Sequence, residues 1–371
     1  MPHNDFQIAG TTIAPGETAD LRLKVSESYT GDDEAIAIRV IRAQKHGPVV
    51  FICAAVHGDE INGTGIIRQL MFDNDLELTR GTAILIPIVN SFGFEANSRY
   101  LPDRRDLNRS FPGSQSGSLA SRIADSFFRE IIQKCDYGID LHTAAVRRTN
   151  YPNIRGDLSM PGVRRIARAF GCELMVNGKG PAGSLRREAC RVGCPTIILE
   201  AGEVWKIEPG VVDVGVRGVK NVLIELDMLE GEIVAPHYQT RVEKTYWIRS
   251  EVGGILTFHV GPGDIVEDGQ PIATNVSVVG DAQTVLIAPA GGVVLGMATL
   301  PAVKPGEPVC HIAMPKMKLS TIQKKLGKLP AKNYSRSMRR ALATNISVHP
   351  PSIHDLHWRE PEPGESGNDD G

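Results

Sequence analysis

Four apolar runs, Val49–Val56, Ala83–Val89, Gly138–Leu141 and Thr196–Leu199, constrain this chain most. Runs without polar alternation belong to strands buried on both faces, because a strand with one wet face alternates with a period of two. Between them lie stretches with helical spacing: Gly63–Phe72, Leu119–Lys134, Val163–Phe170 and Val214–Leu229. Such alternation predicts an α/β domain over 47–236, with a sheet covered by helices on both sides.

The flanks read differently. In 1–46, Leu21–Val25 and Ala35–Ile41 bracket the turn Thr30-Gly31-Asp32-Asp33, predicting a β-rich N-terminal segment packed on the α/β domain. After Pro236 the helical spacing ends, and 245–313 holds short apolar segments cut by Gly and Pro, an all-β module. The pattern GGILTFHVGPGDIVEDGQPIA, then VLIAPAGGVVLGMA, then VKPGEPVCHIA resembles the barrel-sandwich fold of lipoyl and biotinyl domains. Those domains carry a cofactor on a hairpin lysine, yet Thr274–Val285 contains none, and Met314-Pro315-Lys316-Met317-Lys318 follows the barrel instead. A structural or substrate-shaping role is expected. From Met314 to Val348 nine Lys/Arg occur with no acidic residue, and the end from His349 is Pro-rich and acidic. Residues 314–371 are expected to be a solvated, partly disordered tail; contact of 316–340 with an acidic partner is the alternative.

Composition excludes several classes. A formal charge of −2 over 371 residues makes no case for nucleic acid or a membrane surface. Val49–Val56 is too short to cross a bilayer, and the N-terminus does not read as a secretory signal. Six cysteines without a C-x-x-C pair argue against a disulfide scaffold or a cysteine zinc site. A soluble, cytoplasmic protein is expected, with a homo-oligomer left open.

Candidate chemistry clusters after the apolar runs. His57-Gly58-Asp59-Glu60 follows the first; an imidazole and a carboxylate three apart at a turn can reach one ion and suit zinc. The alternatives are a surface histidine paired to Asp59 and a carboxylate at a helix N-terminus. Asp140-Leu141-His142-Thr143 ends a second run and supplies another histidine; Asp140 either orients an imidazole or is an ordinary strand-end group. Glu200 follows Leu199 directly and suits a general base, with Glu203 as rival. In Arg99–Arg109, Asn108-Arg109 can clamp a carboxylate, whereas Arg104 and Arg105 read as solvated.

HGDE, RY…DLNRSFPG, DLHT and ILEAGE, in this order, resemble the succinylglutamate desuccinylase/aspartoacylase family, zinc deacylases related to metallocarboxypeptidases. The resemblance spans roughly 6–313. It implies a zinc-carboxypeptidase-like mixed sheet with helices, followed by the barrel-sandwich module. It also implies one zinc ion on His57, Glu60 and His142, a catalytic Glu200, and an Asn108–Arg109 substrate clamp. The carbonyl-polarising arginine falls on Arg99, with Arg104 as rival; a further family arginine and tyrosines find no assigned position here.

The expected reaction is hydrolysis of the amide bond in a small anionic N-acyl amino acid or related N-acylated amine. A zinc carboxypeptidase-type peptidase and a non-catalytic binding protein are the alternatives. A module that caps the metal cleft favours small substrates.

Overall fold

The structure, a computed structural model, describes residues 6–27, 30–72, 76–280 and 282–328. The chain opens with a hairpin, β1 (Phe6–Ile8) and β2 (Thr11–Ile13), and a long antiparallel pair, β3 (Thr18–Glu27) and β4 (Asp33–Arg42). Then β5 (Val49–Ala54), α1 (Asn62–Phe72), β6 (Thr82–Ile86), α2 (Ser91–Glu95), α3 (Leu119–Glu130), β7 (Tyr137–His142) and β8 (Arg148–Gly156) follow. Next come α4 (Pro161–Phe170), β9 (Leu174–Asn177), α5 (Leu185–Arg191), β10 (Thr196–Gly202) and α6 (Pro209–Glu225).

The four apolar runs become β5, β6, β7 and β10, side by side and parallel in the order β10-β7-β5-β6. Their two-faced burial is visible residue by residue. Val50, Ile52 and Ala54 of β5 pack with Ile139, Leu141 and residues of α1, α4 and α6. Phe51 and Cys53 point the other way, against Ile84, Ile86 and residues of α3. At about 25 cal/mol per Å² of apolar surface, this double burial is the main force holding the layers together.

Element ends depart from the sequence reading for local reasons. β6 stops at Ile86 because Pro87 has no N–H to give a neighbour. α6 starts at Pro209, whose fixed φ suits a first helical turn, and not at Val214. β10 continues through Glu200 to Gly202, so Glu200 lies within the strand and not past its end. The polar stretch Arg148–Gly156, unremarked in the apolar pattern, is strand β8, antiparallel to β10.

From Thr240 the described residues form eight consecutive strands: β11 (Thr240–Arg249), β12 (Gly254–Phe258), β13 (Ile265–Val266), β14 (Pro271–Val276), β15 (Gln283–Ile287), β16 (Gly292–Ala298), β17 (Ala302–Val303) and β18 (Pro308–Pro315). They surround their own core of Ile248, Leu256, Phe258, Val266, Val294 and Ile312. Four of them also extend the main sheet, whose twelve strands run β13-β16-β18-β11-β9-β8-β10-β7-β5-β6-β4-β3; β15-β14-β12-β17 form a second sheet.

β16 also pairs with β8, Gly296 opposite Asn150. A Cβ on Gly296 would lie 2.5 Å from the Asn150 side-chain oxygen, so only glycine lets the strands meet. The expected tail starts inside the fold. α7 (Leu319–Gly327) buries Ile322 completely against the main core, with Leu319 and Leu326 beside it. The basic positions 332, 336, 339 and 340 and the acidic end lie outside the described residues. No described helix is long and apolar enough to cross a membrane.

Candidate active site

Parallel strands deliver their C-terminal ends to one edge, where open α/β sheets gather ligand groups. The loop after β5 carries His57 and Glu60, β7 ends on His142, and β10 places Glu200 in register with His142. The first loop is tightly built. Ala55 adopts φ +50°, and a Cβ on Gly58 would sit 1.9 Å from the Gly93 carbonyl carbon, so α2 can pack there only against glycine.

The two histidines converge on Glu60. His57 Nδ1 lies 2.7 Å from Oε1 and His142 Nδ1 lies 2.8 Å from Oε2. The Thr143 backbone N–H also donates to Oε2, at 3.0 Å. One ligand atom from each of the three residues falls within 4.8 Å of the others, and all three side chains are buried. The far nitrogens are held as well: His57 Nε2 is 3.1 Å from Asp106, and His142 Nε2 is 2.8 Å from Asp140. Asp59 does not meet the His57 ring; its carbonyl accepts from Trp205 N–H instead.

Electrostatics follow from this packing. Burial pushes the Glu60 carboxyl up, but His57 and His142 outweigh it and hold it well below the usual carboxylate range. Burial disfavours protonated imidazole at both histidines. At His57, Glu60 and Asp106 reverse the sign; at His142, Asp140 and Glu60 raise it well above the ordinary histidine value. The cluster is therefore built to hold positive charge. Two imidazole nitrogens and one carboxylate oxygen, each ring backed by a second carboxylate, form a donor set that could hold a metal ion.

The remaining candidates separate. Arg99 donates to Glu60 at 3.2 Å and to Asp106 at 3.0 Å, beside the cluster. Its rival Arg104 is exposed, with φ +61°, and does not line the cavity described below. Asn108 is buried and its Oδ1 accepts from Leu185 N–H at 2.9 Å, leaving the amide nitrogen to serve a ligand. Arg109 is exposed at the rim, one of its N–H groups donating to the Asn108 carbonyl. Glu200 accepts from the Asn150 side-chain amide at 2.9 Å, with Arg155 at 3.5 Å. Glu203 turns away to Lys206 and Thr299.

One cavity of about 280 Å³ is lined by His57, Glu60, His142, Glu200, Arg99, Asn108 and Arg109 together. Arg148, Asn150 and Arg155 of β8, Arg186 of α5, and Trp247 and His311 of the C-terminal strands also line it. Sequence reasoning missed these. Arg186 is buried, and its Nε and Nη1 have no hydrogen-bond partner among the described residues. The resemblance implied a further arginine but assigned it no position, so the segment Gly183–Arg187 did not single out Arg186. A larger groove of about 620 Å³ between α1 and α6 carries none of the candidate groups.

The chain is similar to known proteins in sequence and in fold. N-alpha-acetyl-L-2,4-diaminobutyric acid deacetylase of Halomonas elongata is 28% identical over 267 residues, covering 68% of this chain and 78% of that protein. In fold, the chain is similar to a succinylglutamate desuccinylase/aspartoacylase of Rhodobacter sphaeroides (TM-score 0.72, 24% identity, covering 81% of this chain and 96% of that one). It is equally similar to a product-bound ectoine utilisation protein of Ruegeria pomeroyi (TM-score 0.72, 23% identity, covering 80% and 95%). Residues 46–226 match the model of the succinylglutamate desuccinylase/aspartoacylase catalytic domain. Over this segment the chain is similar in sequence to the catalytic domain of the succinylglutamate desuccinylase/aspartoacylase family.

Proposed function

We propose that this protein is a zinc-dependent deacylase that hydrolyses the amide bond of a small N-acyl amino acid or related N-acylated amine. The observation that carries the reading is the convergence of His57, Glu60 and His142 on the cavity that Glu200 also lines. His57, Glu60 and His142 would hold one zinc ion, which when bound supplies Lewis acidity to water and to the scissile carbonyl.

The chain's own groups do the rest. Glu200, steadied by Asn150, takes the proton of the attacking water and returns it to the leaving amine. Arg99 faces the oxygen on which negative charge develops. Asn108, Arg109 and the unpartnered Arg186 hold a substrate carboxylate. Asp106 and Asp140 fix the two imidazole rings.

The C-terminal strands, read as a barrel-sandwich module, shape the pocket by bringing Trp247 and His311 to its wall. A space of about 280 Å³ walled in this way suits an acylated amino acid and disfavours the peptidase alternative. A cytoplasmic location fits six free cysteines, five of them buried.

The test is a screen of the metal-loaded full chain against N-acetyl- and N-succinyl-amino acids and against peptides, scoring free amine. Release from the small amides and not from peptides is expected. Release from peptides alone, or from neither, contradicts the reading.

A further inference from the structure

His142 and Glu200 stand in register on paired strands, and the sheet itself sets their spacing. His57 and Glu60 have no such tie to Glu200. They lie in the loop after β5, and β7 separates β5 from β10. Side chains beyond the cavity bridge that gap.

Asn62 opens α1 two residues after Glu60 and is buried. Its Oδ1 accepts from the Glu208 N–H at 2.7 Å, and its Nδ2 donates to Glu208 Oε2 at 2.9 Å and to the Glu203 carbonyl at 3.2 Å. Glu208 Oε2 also accepts from the Glu203 N–H at 2.9 Å. The two side chains thus fold the loop 203–208 back on itself and pin it to the first turn of α1. Trp205 extends the contact. Its N–H donates to the Asp59 carbonyl at 2.9 Å, and its indole Nε1–H donates at 3.0 Å to the carbonyl of Asn97, two residues before Arg99. The Thr299 hydroxyl, just past β16, donates to Glu203 Oε1 at 2.6 Å. One loop, starting three residues after Glu200, therefore grips the segments that carry Glu60 and Arg99 as well as the C-terminal strands.

We infer that Asn62 and Glu208 are positioning residues, a brace that sets Glu200 at its working distance from His57 and Glu60. The inference rests on the deacylase reading and adds to it the means by which the two halves of the site are aligned. Neither residue lines the cavity, so both act through the groups they hold. A displacement of about 1 Å, even from a change far from the chemistry, can cost about 100-fold in rate. Groups carried on loops keep such precision only where side chains lock them.

Asn62→Asp sets a second carboxylate against that of Glu208, whereas adding Glu208→Gln exchanges donor for acceptor and restores both the bond and the net charge. Steady-state kinetics of the full chain on N-acetyl- and N-succinyl-amino acids, with kcat expressed per bound zinc, test the brace beside amide hydrogen exchange read by mass spectrometry. Asn62→Asp should lower kcat per zinc about 10–100-fold, move KM less than about threefold, and speed exchange over 203–208. The double variant should recover most of each loss. Glu208→Ala supplies the same comparison should Asn62→Asp fail to fold. A merely structural role lowers stability and zinc content together and leaves kcat per zinc unchanged. That result, or a loss that the double variant does not recover, overturns the brace, while wild-type turnover keeps the deacylase reading intact. No turnover of any of these amides by the zinc-loaded wild type overturns both.

Discussion

His57 and His142, from two different strand ends, present the same nitrogen, Nδ1, to opposite oxygens of one carboxylate, with ring centres 4.9 Å apart. Glu60 so placed is costly in an apolar interior unless its neighbours stay cationic or a metal ion takes their place.

Replacement of either histidine by alanine should therefore abolish stoichiometric zinc, measured by elemental analysis of purified protein. Asp140→Asn, at a side chain that meets the far nitrogen of His142 and also accepts from the Cys53 thiol, should weaken zinc about 10–100-fold without abolishing it. Equal zinc affinity in Asp140→Asn and wild type would contradict the orienting role.

Glu200→Gln keeps shape and hydrogen-bond length but cannot accept a proton. It should lower kcat by about 10²–10⁴-fold with zinc content unchanged. Asn150→Ala should fall between this variant and wild type, because it removes a hydrogen bond of 2.9 Å and not the base itself. Steady-state kinetics with metal analysis on the same samples separate the two effects.

Gly296 couples the C-terminal strands to the site. Gly296→Val forces β16 away from β8 at Asn150, and overpacking of this kind costs about 1–3 kcal/mol. Denaturant unfolding should register that loss, and kcat should fall through displacement of Asn150. A stable variant with normal kcat would show that the β8–β16 contact does not govern Glu200.

His311 ties stability to acid. Its folded value of about 4 lies below the ordinary histidine value of about 6.5, so between those limits the unfolded chain binds the extra proton. Its contribution is intact above about pH 6.5 and is lost as pH falls toward 4, by at most about 3 kcal/mol. Unfolding free energies at about pH 7 and pH 4.5 should differ less in His311→Gln than in wild type.

Much of this was legible in the sequence. Mostly apolar runs located β5, β6, β7 and β10, since burial on both faces leaves little room for polar alternation; Asp140, inside the β7 run, is buried and meets His142. The residues just after or ending them supplied His57, Glu60 and His142. β8 was hidden because it is buried with polar residues: Asn150, Asn153 and Arg155 serve Glu200 and its strand, so its pattern reads as loop. Asp106 was hidden among arginines, although it bridges His57 and Arg99. Trp247 and His311 could not be placed, because they reach the cavity only through pairing of distant strands.

The most direct test is an anomalous difference map, recorded at the zinc absorption edge, from crystals of the full chain grown with zinc. The account predicts one strong peak within about 2.0–2.2 Å of His57 Nδ1, His142 Nδ1 and a Glu60 oxygen. A fully loaded crystal with no peak among these three side chains, or with zinc bound only elsewhere, would contradict it.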